Sequence, residues 1–171
     1  MPVDDNIKRF VAYDKNVYEG YLSSAGKRSD PEKRFEKWCN DHAVWFYKNG
    51  EHNQQFLSII YANNAGKQKA FYPDYVLEDK QGRIWILETK GGQTSGGVSQ
   101  DIDPSSPQKF AYLMKYLATH KTTTYNGKTH AIFGGFVRFD NGTQTLLINT
   151  TAYDDNLDNT AVWVDIDTVI K

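Results

Sequence analysis

The stretch FYPDYVLEDKQGRIWILETKGG, residues 71 to 92, constrains this chain more than any other, because it reads as one β-hairpin with apolar side chains on both faces. Phe71 to Leu77 is rich in aromatic and branched residues, and Arg83 to Thr89 alternates bulky apolar side chains around Trp85. Between the arms lies Asp79-Lys80-Gln81-Gly82. A loop of Lys80, Gln81 and Gly82, with Gly82 supplying the positive φ that a hairpin of this loop length needs, sets Asp79 against Arg83 and fixes the register. Val76 then opposes Ile86, and Asp74 opposes Glu88. Alternation at period two predicts Asp74, Val76, Ile84, Ile86, Glu88 and Lys90 on one face and Tyr75, Leu77, Trp85 and Leu87 on the other, so both faces call for cover.

Two opposed carboxylates with Cβ atoms roughly 5 Å apart repel, at a cost of a few tenths of a kcal/mol or more. A hard divalent cation offsets that repulsion: Mg²⁺ takes oxygen ligands and is commonly held by one or two carboxylates with waters and substrate phosphates. Lys90, two residues beyond Glu88 on the same face, can orient an attacking water or neutralise charge growing on a phosphate. Glu78-Asp79-Lys80 repeats the Glu-x-Lys pattern, but it shares a strand with Asp74 and runs into the turn, so it cannot pinch a metal from the neighbouring strand.

Pro73-Asp74 followed by Glu88-Thr89-Lys90 resembles the PD-(D/E)xK nuclease motif, and the wording FYPDY and IWILETKGG is similar to the endonuclease domain at the C-terminus of type III restriction enzyme Res subunits. The bare motif is weak, since a random chain of this length contains Pro-Asp and Glu-x-Lys about 0.5 and about 0.6 times. Strand context, register and face select the second Glu-x-Lys. The resemblance, over roughly residues 10 to 165, implies a restriction-endonuclease-like three-layer α/β/α fold with a central mixed sheet. It further implies Mg²⁺-dependent hydrolysis of phosphodiester bonds in double-stranded DNA, with Mn²⁺ as a substitute. On that reading Asp74 and Glu88 bind the metal with the Thr89 carbonyl and Glu32, and Lys90 is catalytic. The implied partners are a helicase/ATPase motor and a modification methyltransferase subunit. The alternatives are a non-catalytic DNA-binding or assembly module on a nuclease fold, or a DNA repair nuclease.

The rest of the chain reads as support. Residues 1 to 28 form an irregular arm with at most one strand, ahead of an endonuclease domain over 29 to 171. Asp30-Pro31-Glu32 signals a helix start, and Phe35, Trp38 and Cys39 mark its buried stripe. Glu32 falls on that inward face, either as a metal ligand or as a first-turn carboxylate at the positive end of the helix. Glu36 is the fallback for the helix-one metal ligand that the resemblance implies, and otherwise reads as a solvated surface residue. Strands are predicted over Val44 to Tyr47 and Phe56 to Tyr61, joined by a polar turn whose Lys48 either faces DNA or is solvated. Residues 91 to 103 form a Gly-rich loop in which Asp101 and Asp103 are turn acids or second-metal contacts. Ser106 caps a second helix with Pro107 at its first position and a stripe of Phe110, Leu113, Met114 and Leu117. Lys109 near its start either approaches the scissile phosphate or faces solvent. Thr122 to Thr129 reads as a polar turn, Ala131 to Phe139 as a strand, Asp140-Asn141-Gly142-Thr143 as a hairpin turn into Gln144 to Ile148, and Val162 to Ile166 as a last strand.

Composition excludes several classes. The lone Cys39 precludes an internal disulfide and fits a reducing, cytoplasmic setting, and no apolar run reaches membrane-span length. The scattered histidines lack zinc spacing, no Gly-x-Ser-x-Gly elbow occurs, and Gly127-Lys128-Thr129 lacks the upstream glycine of an ATP-binding loop. A net charge of -1 is low for a nucleic-acid binder, which fits DNA delivered by a partner.

Overall fold

The structure is a computed structural model that describes residues 10–12, 15, 22–24, 30–49, 57–91 and 104–171. The strands are β1 (Phe10–Ala12), β2 (Leu22–Ser24), β3 (Trp45–Lys48), β4 (Ile59–Ala62), β5 (Gln68–Phe71), β6 (Tyr75–Glu78), β7 (Ile84–Lys90), β8 (Thr122–Tyr125), β9 (Lys128–Asp140), β10 (Thr145–Asn149) and β11 (Val164–Asp165). The helices are α1 (Asp30–His42), α2 (Ser106–Thr119) and α3 (Ile166–Val169). A mixed sheet of 7 strands runs β11-β10-β9-β7-β6-β3, with β8 added to β9. Among the described residues only the β7–β9 pairing is parallel, and the other rungs of this sheet are antiparallel. β1 with β2, and β4 with β5, form separate two-stranded ribbons.

The β6–β7 hairpin takes the register its sequence dictates, Val76 against Ile86 and Leu77 against Trp85. Gly82 sits at φ +76, and the Asp79 N–H donates to the Arg83 carbonyl at 2.9 Å. Asp79 holds the turn: its Oδ1 accepts from the Gln81 and Arg83 N–H groups (2.9 and 3.0 Å), and its Oδ2 from Arg83 Nε (2.6 Å) and Trp85 Nε1 (2.9 Å).

β7 is central, and nearly all of it is buried. Its two faces feed two separate cores. Tyr75, Leu77, Trp85 and Leu87 pack with Phe35, Trp38 and Cys39 of α1, while Val76, Ile84 and Ile86 pack with Phe110 and Leu113 of α2. The double cover explains why both faces of the hairpin are apolar. β9 lies between β7 and β10 through Gly134 and Gly135. A Cβ on Gly135 would stand 1.9 Å from the Asn149 carbonyl oxygen, so the close approach requires glycine.

Several boundaries differ from the sequence expectation. The first arm is interrupted at Pro73: β5 turns away to pair with β4, and only Tyr75 onward joins the main sheet. The reason is that Pro73 has no N–H to give the next rung. Thr122 to Thr129 is a hairpin, not a long turn, closed by Asn126 and Gly127 at φ 49 and 74, the left-handed pair that a two-residue turn demands. The residue in the cap position of α2 is Ser105, and Ser106 is already helical. The arm contains two paired strands instead of one, and Val162 to Ile166 shortens to β11 followed by α3. No helix among the described residues is long and apolar enough to cross a membrane.

Candidate functional site

At the end of the sheet opposite the Asp79 turn, the β6–β7 ladder stops at Tyr75 and Leu87. The next hydrogen-bonded rung would join Thr89 to Pro73. Asn49 takes the Pro73 carbonyl instead, donating from Nδ2 at 2.9 Å, and the Asn49 N–H donates to the Asp74 carbonyl at 2.7 Å. The Asp74 side chain fills the vacated place. Its Oδ2 accepts from the Thr89 N–H (2.9 Å) and from Thr89 Oγ1 (2.7 Å), which fixes the carboxylate at the strand end.

The predicted site residues divide between the two sides of the sheet, with Asp74 between them. On the α1 side, Lys48 ends β3 and places its Nζ 2.5 Å from Glu32 Oε1, 3.7 Å from Asp74 Oδ1 and 4.9 Å above the Tyr75 ring. Lys48 is thus largely enclosed within the site, not presented on an open turn. Glu36 belongs to the same side: it is 2% exposed and accepts from the Tyr75 hydroxyl at 2.7 Å. That overturns its reading as a solvated residue. Burial and the Glu36 charge together push the Tyr75 phenol well above its ordinary pKa. The helical spacing carried the signal, because Glu36 lies four residues after Glu32 and three before the buried Cys39.

On the α2 side, Glu88 is 7% exposed, and its Oε1 accepts from Lys90 Nζ at 3.0 Å while Oε2 has no partner among the described residues. Lys90 Nζ also stands 5.5 Å from the Phe136 ring centroid. Burial, and then the nearby Asp74 charge, push the Glu88 carboxyl up to about 8, against the opposing influence of Lys90 and Lys109. Lys109 reaches this side from the first turn of α2, with its Nζ 5.8 Å from the Phe71 ring centroid. Asp101 and Asp103 lie outside the described residues.

Among the described residues, no three His, Cys, Asp or Glu side chains gather closely enough to form a metal cluster. What the arrangement offers is one fixed carboxylate, Asp74, beside one buried carboxyl, Glu88, that lacks a partner on one oxygen. A buried carboxyl left in this state favours either a proton or a cation. No protein-family model matches the chain, and neither the curated proteins nor the solved structures searched contain a match.

Proposed function

We propose that this chain is a Mg²⁺-dependent endonuclease domain that hydrolyses phosphodiester bonds in double-stranded DNA, built on a three-layer α/β/α core of the PD-(D/E)xK type. The observation that carries the reading is Glu88: buried, paired to Lys90 on one oxygen and without a partner among the described residues on the other, at the strand end where Asp74 is fixed. The donor set suits a hard cation. Asp74 and Glu88, with the Thr89 carbonyl, are the residues that would hold Mg²⁺, which there supplies a Lewis acid for a phosphoryl oxygen and a water of lowered pKa. Glu32 is committed to Lys48, whose ammonium already provides the positive charge between Glu32 and Asp74.

The protein's own groups do the rest. The Thr89 N–H and hydroxyl orient Asp74 through Oδ2, while Oδ1 lies 3.7 Å from Lys48 Nζ. Lys90, enclosed against Phe136, is a preorganised donor for an attacking water or for the charge that develops on phosphorus-bound oxygens. Lys109 adds positive potential from α2. Delivery of DNA by a helicase motor and a methyltransferase subunit belongs to the same proposal, and agrees with the net charge of -1. A non-catalytic DNA-binding or assembly module is the second reading, favoured by the Lys48 ammonium lodged between Glu32 and Asp74.

Plasmid cleavage by the full chain in Mg²⁺, Mn²⁺ or EDTA separates the two. Metal-dependent nicking that falls by about 10²-fold or more in both Asp74→Ala and Lys90→Ala supports the nuclease. No cleavage in either metal, with no Mg²⁺ or Mn²⁺ binding by calorimetry, sinks it and leaves the binding module.

A further inference from the structure

The β7–β9 register sets Glu88 beside Phe136 and Lys90 beside Arg138. Arg138 therefore projects from the same face as Lys90, one strand further into the sheet. It is 1% exposed, and its Nε and both terminal nitrogens have no hydrogen-bond partner among the described residues. The Trp163 ring centroid lies 4.8 Å from its guanidinium carbon. Desolvation draws the Arg138 pKa down to about 10, which still leaves the group charged at neutral pH. A guanidinium carries five donors and no acceptor, and stacking on an indole recovers only part of what its burial costs. The geometry has the form of a cation awaiting an anion.

A second unsatisfied group stands nearby. Ser106 opens α2, is fully buried, and directs its hydroxyl toward that of Tyr153 without forming a hydrogen bond of ordinary geometry to any described residue. Tyr153 lies between the two: its ring packs on Phe110 and Phe136, and both the Ser106 hydroxyl and the Arg138 charge act on its phenol. Asp155, whose charge also acts on Arg138, accepts from the Tyr153 hydroxyl at 2.6 Å and makes no ion pair with Arg138 among the described residues. α2 runs for 14 residues from Ser106, so its N-terminal end adds a partial positive charge.

We propose that Arg138, Ser106 and the N-terminal end of α2 form a phosphate-binding subsite beside Lys90. On the nuclease reading, on which its physiological ligand rests, this subsite takes a backbone phosphate of the substrate strand adjoining the one attacked. A phosphate accepts several hydrogen bonds in the planar, forked arrangement that a guanidinium presents, and it matches the charge at the helix end. Lys90 and Arg138 on adjacent strands divide the work: the first serves the chemistry, the second the register of the strand.

The test uses the full chain in EDTA, so that binding is read without cleavage. The Arg138 Nε–H resonance is followed while inorganic phosphate, and separately a short DNA duplex, is titrated in. Both ligands are expected to shift it, and Arg138→Met is expected to weaken duplex binding about tenfold and to lower its salt slope by about one phosphate's worth. A shift with inorganic phosphate but not with duplex upholds the subsite and counts against a DNA substrate. No shift with either ligand overturns the subsite even if the protein cuts plasmid, and because this arm uses the unmodified chain it stands whether or not Arg138→Met folds. Ser106→Ala, which removes only a hydroxyl, is expected to weaken duplex binding by a smaller factor; duplex affinities and salt slopes unchanged in both variants would likewise overturn it.

Discussion

The β6–β7 hairpin carries a pair of acids at each end, and the two pairs are treated in opposite ways. At the turn, both Asp79 oxygens are filled by N–H donors, and Glu78 Oε2 accepts from Trp45 Nε1 at 2.6 Å and from the Tyr125 hydroxyl. At the open end, Asp74 is fixed through one oxygen and Glu88 keeps an oxygen with no partner among the described residues. One sequence pattern, acids with a lysine two residues on, thus yields a closed structural knot in one place and an incompletely satisfied pair in the other. Satisfaction, not motif, tells them apart.

The widest separation between the two ends is expected from pH. Glu88 titrates near 4.5 in an unfolded chain and near 8 when folded, so the folded state binds the proton more tightly. The associated stability is fully present below about pH 4.5 and is lost as pH rises through about 8, up to about 5 kcal/mol at roughly 1.4 kcal/mol per unit. Thermal melts of the metal-free protein across that window should show the decline, and Glu88→Gln should flatten it. A flat wild-type profile would mean that Glu88 is not buried as described.

At the turn a loss of stability is expected from a single truncation. Asp79→Ala strips the partners from Arg83 Nε and Trp85 Nε1 and should cost about 3–4 kcal/mol, close to 10 °C in melting temperature. A melting temperature within a degree or two of wild type would remove the contrast. The smallest effect should come from Lys48→Met, about 1–2 kcal/mol in stability, since the Lys48–Glu32 pair is largely enclosed but keeps some contact with solvent, at 10% and 18% side-chain exposure. Because Lys48 stands 3.7 Å from Asp74, the same change should tighten Mg²⁺ binding several-fold by calorimetry. Weaker binding would instead make Lys48 a support of the site.

The hairpin was legible because its evidence is local: turn chemistry at Gly82, period-two alternation and apolar content all agree within one stretch. The same holds for the α1 stripe and for the Asp140 turn. What escaped depended on partners distant in sequence. Glu36 reads as surface until Tyr75 is placed against it, and Lys48 reads as a turn residue until β3 is seen to pair with β6 beside Glu32. Arg138 carries no local signal at all, sitting within a strand whose neighbours are Val137 and Phe139. Only the parallel pairing with β7 brings it to Lys90.

That parallel pairing also orders events in time. The β6–β7 hairpin closes over a few residues and can form early, bringing Asp74 and Glu88 to one strand end by itself. Phe136 and Arg138 arrive only after the chain has passed through α2 and β8 and returned to lie along β7. Long-range parallel contacts of this kind must overcome loop-closure entropy before they gain anything, which makes them late and slow. The acids are thus brought together by local contacts, whereas the floor and the arginine that complete their surroundings depend on the long-range pairing.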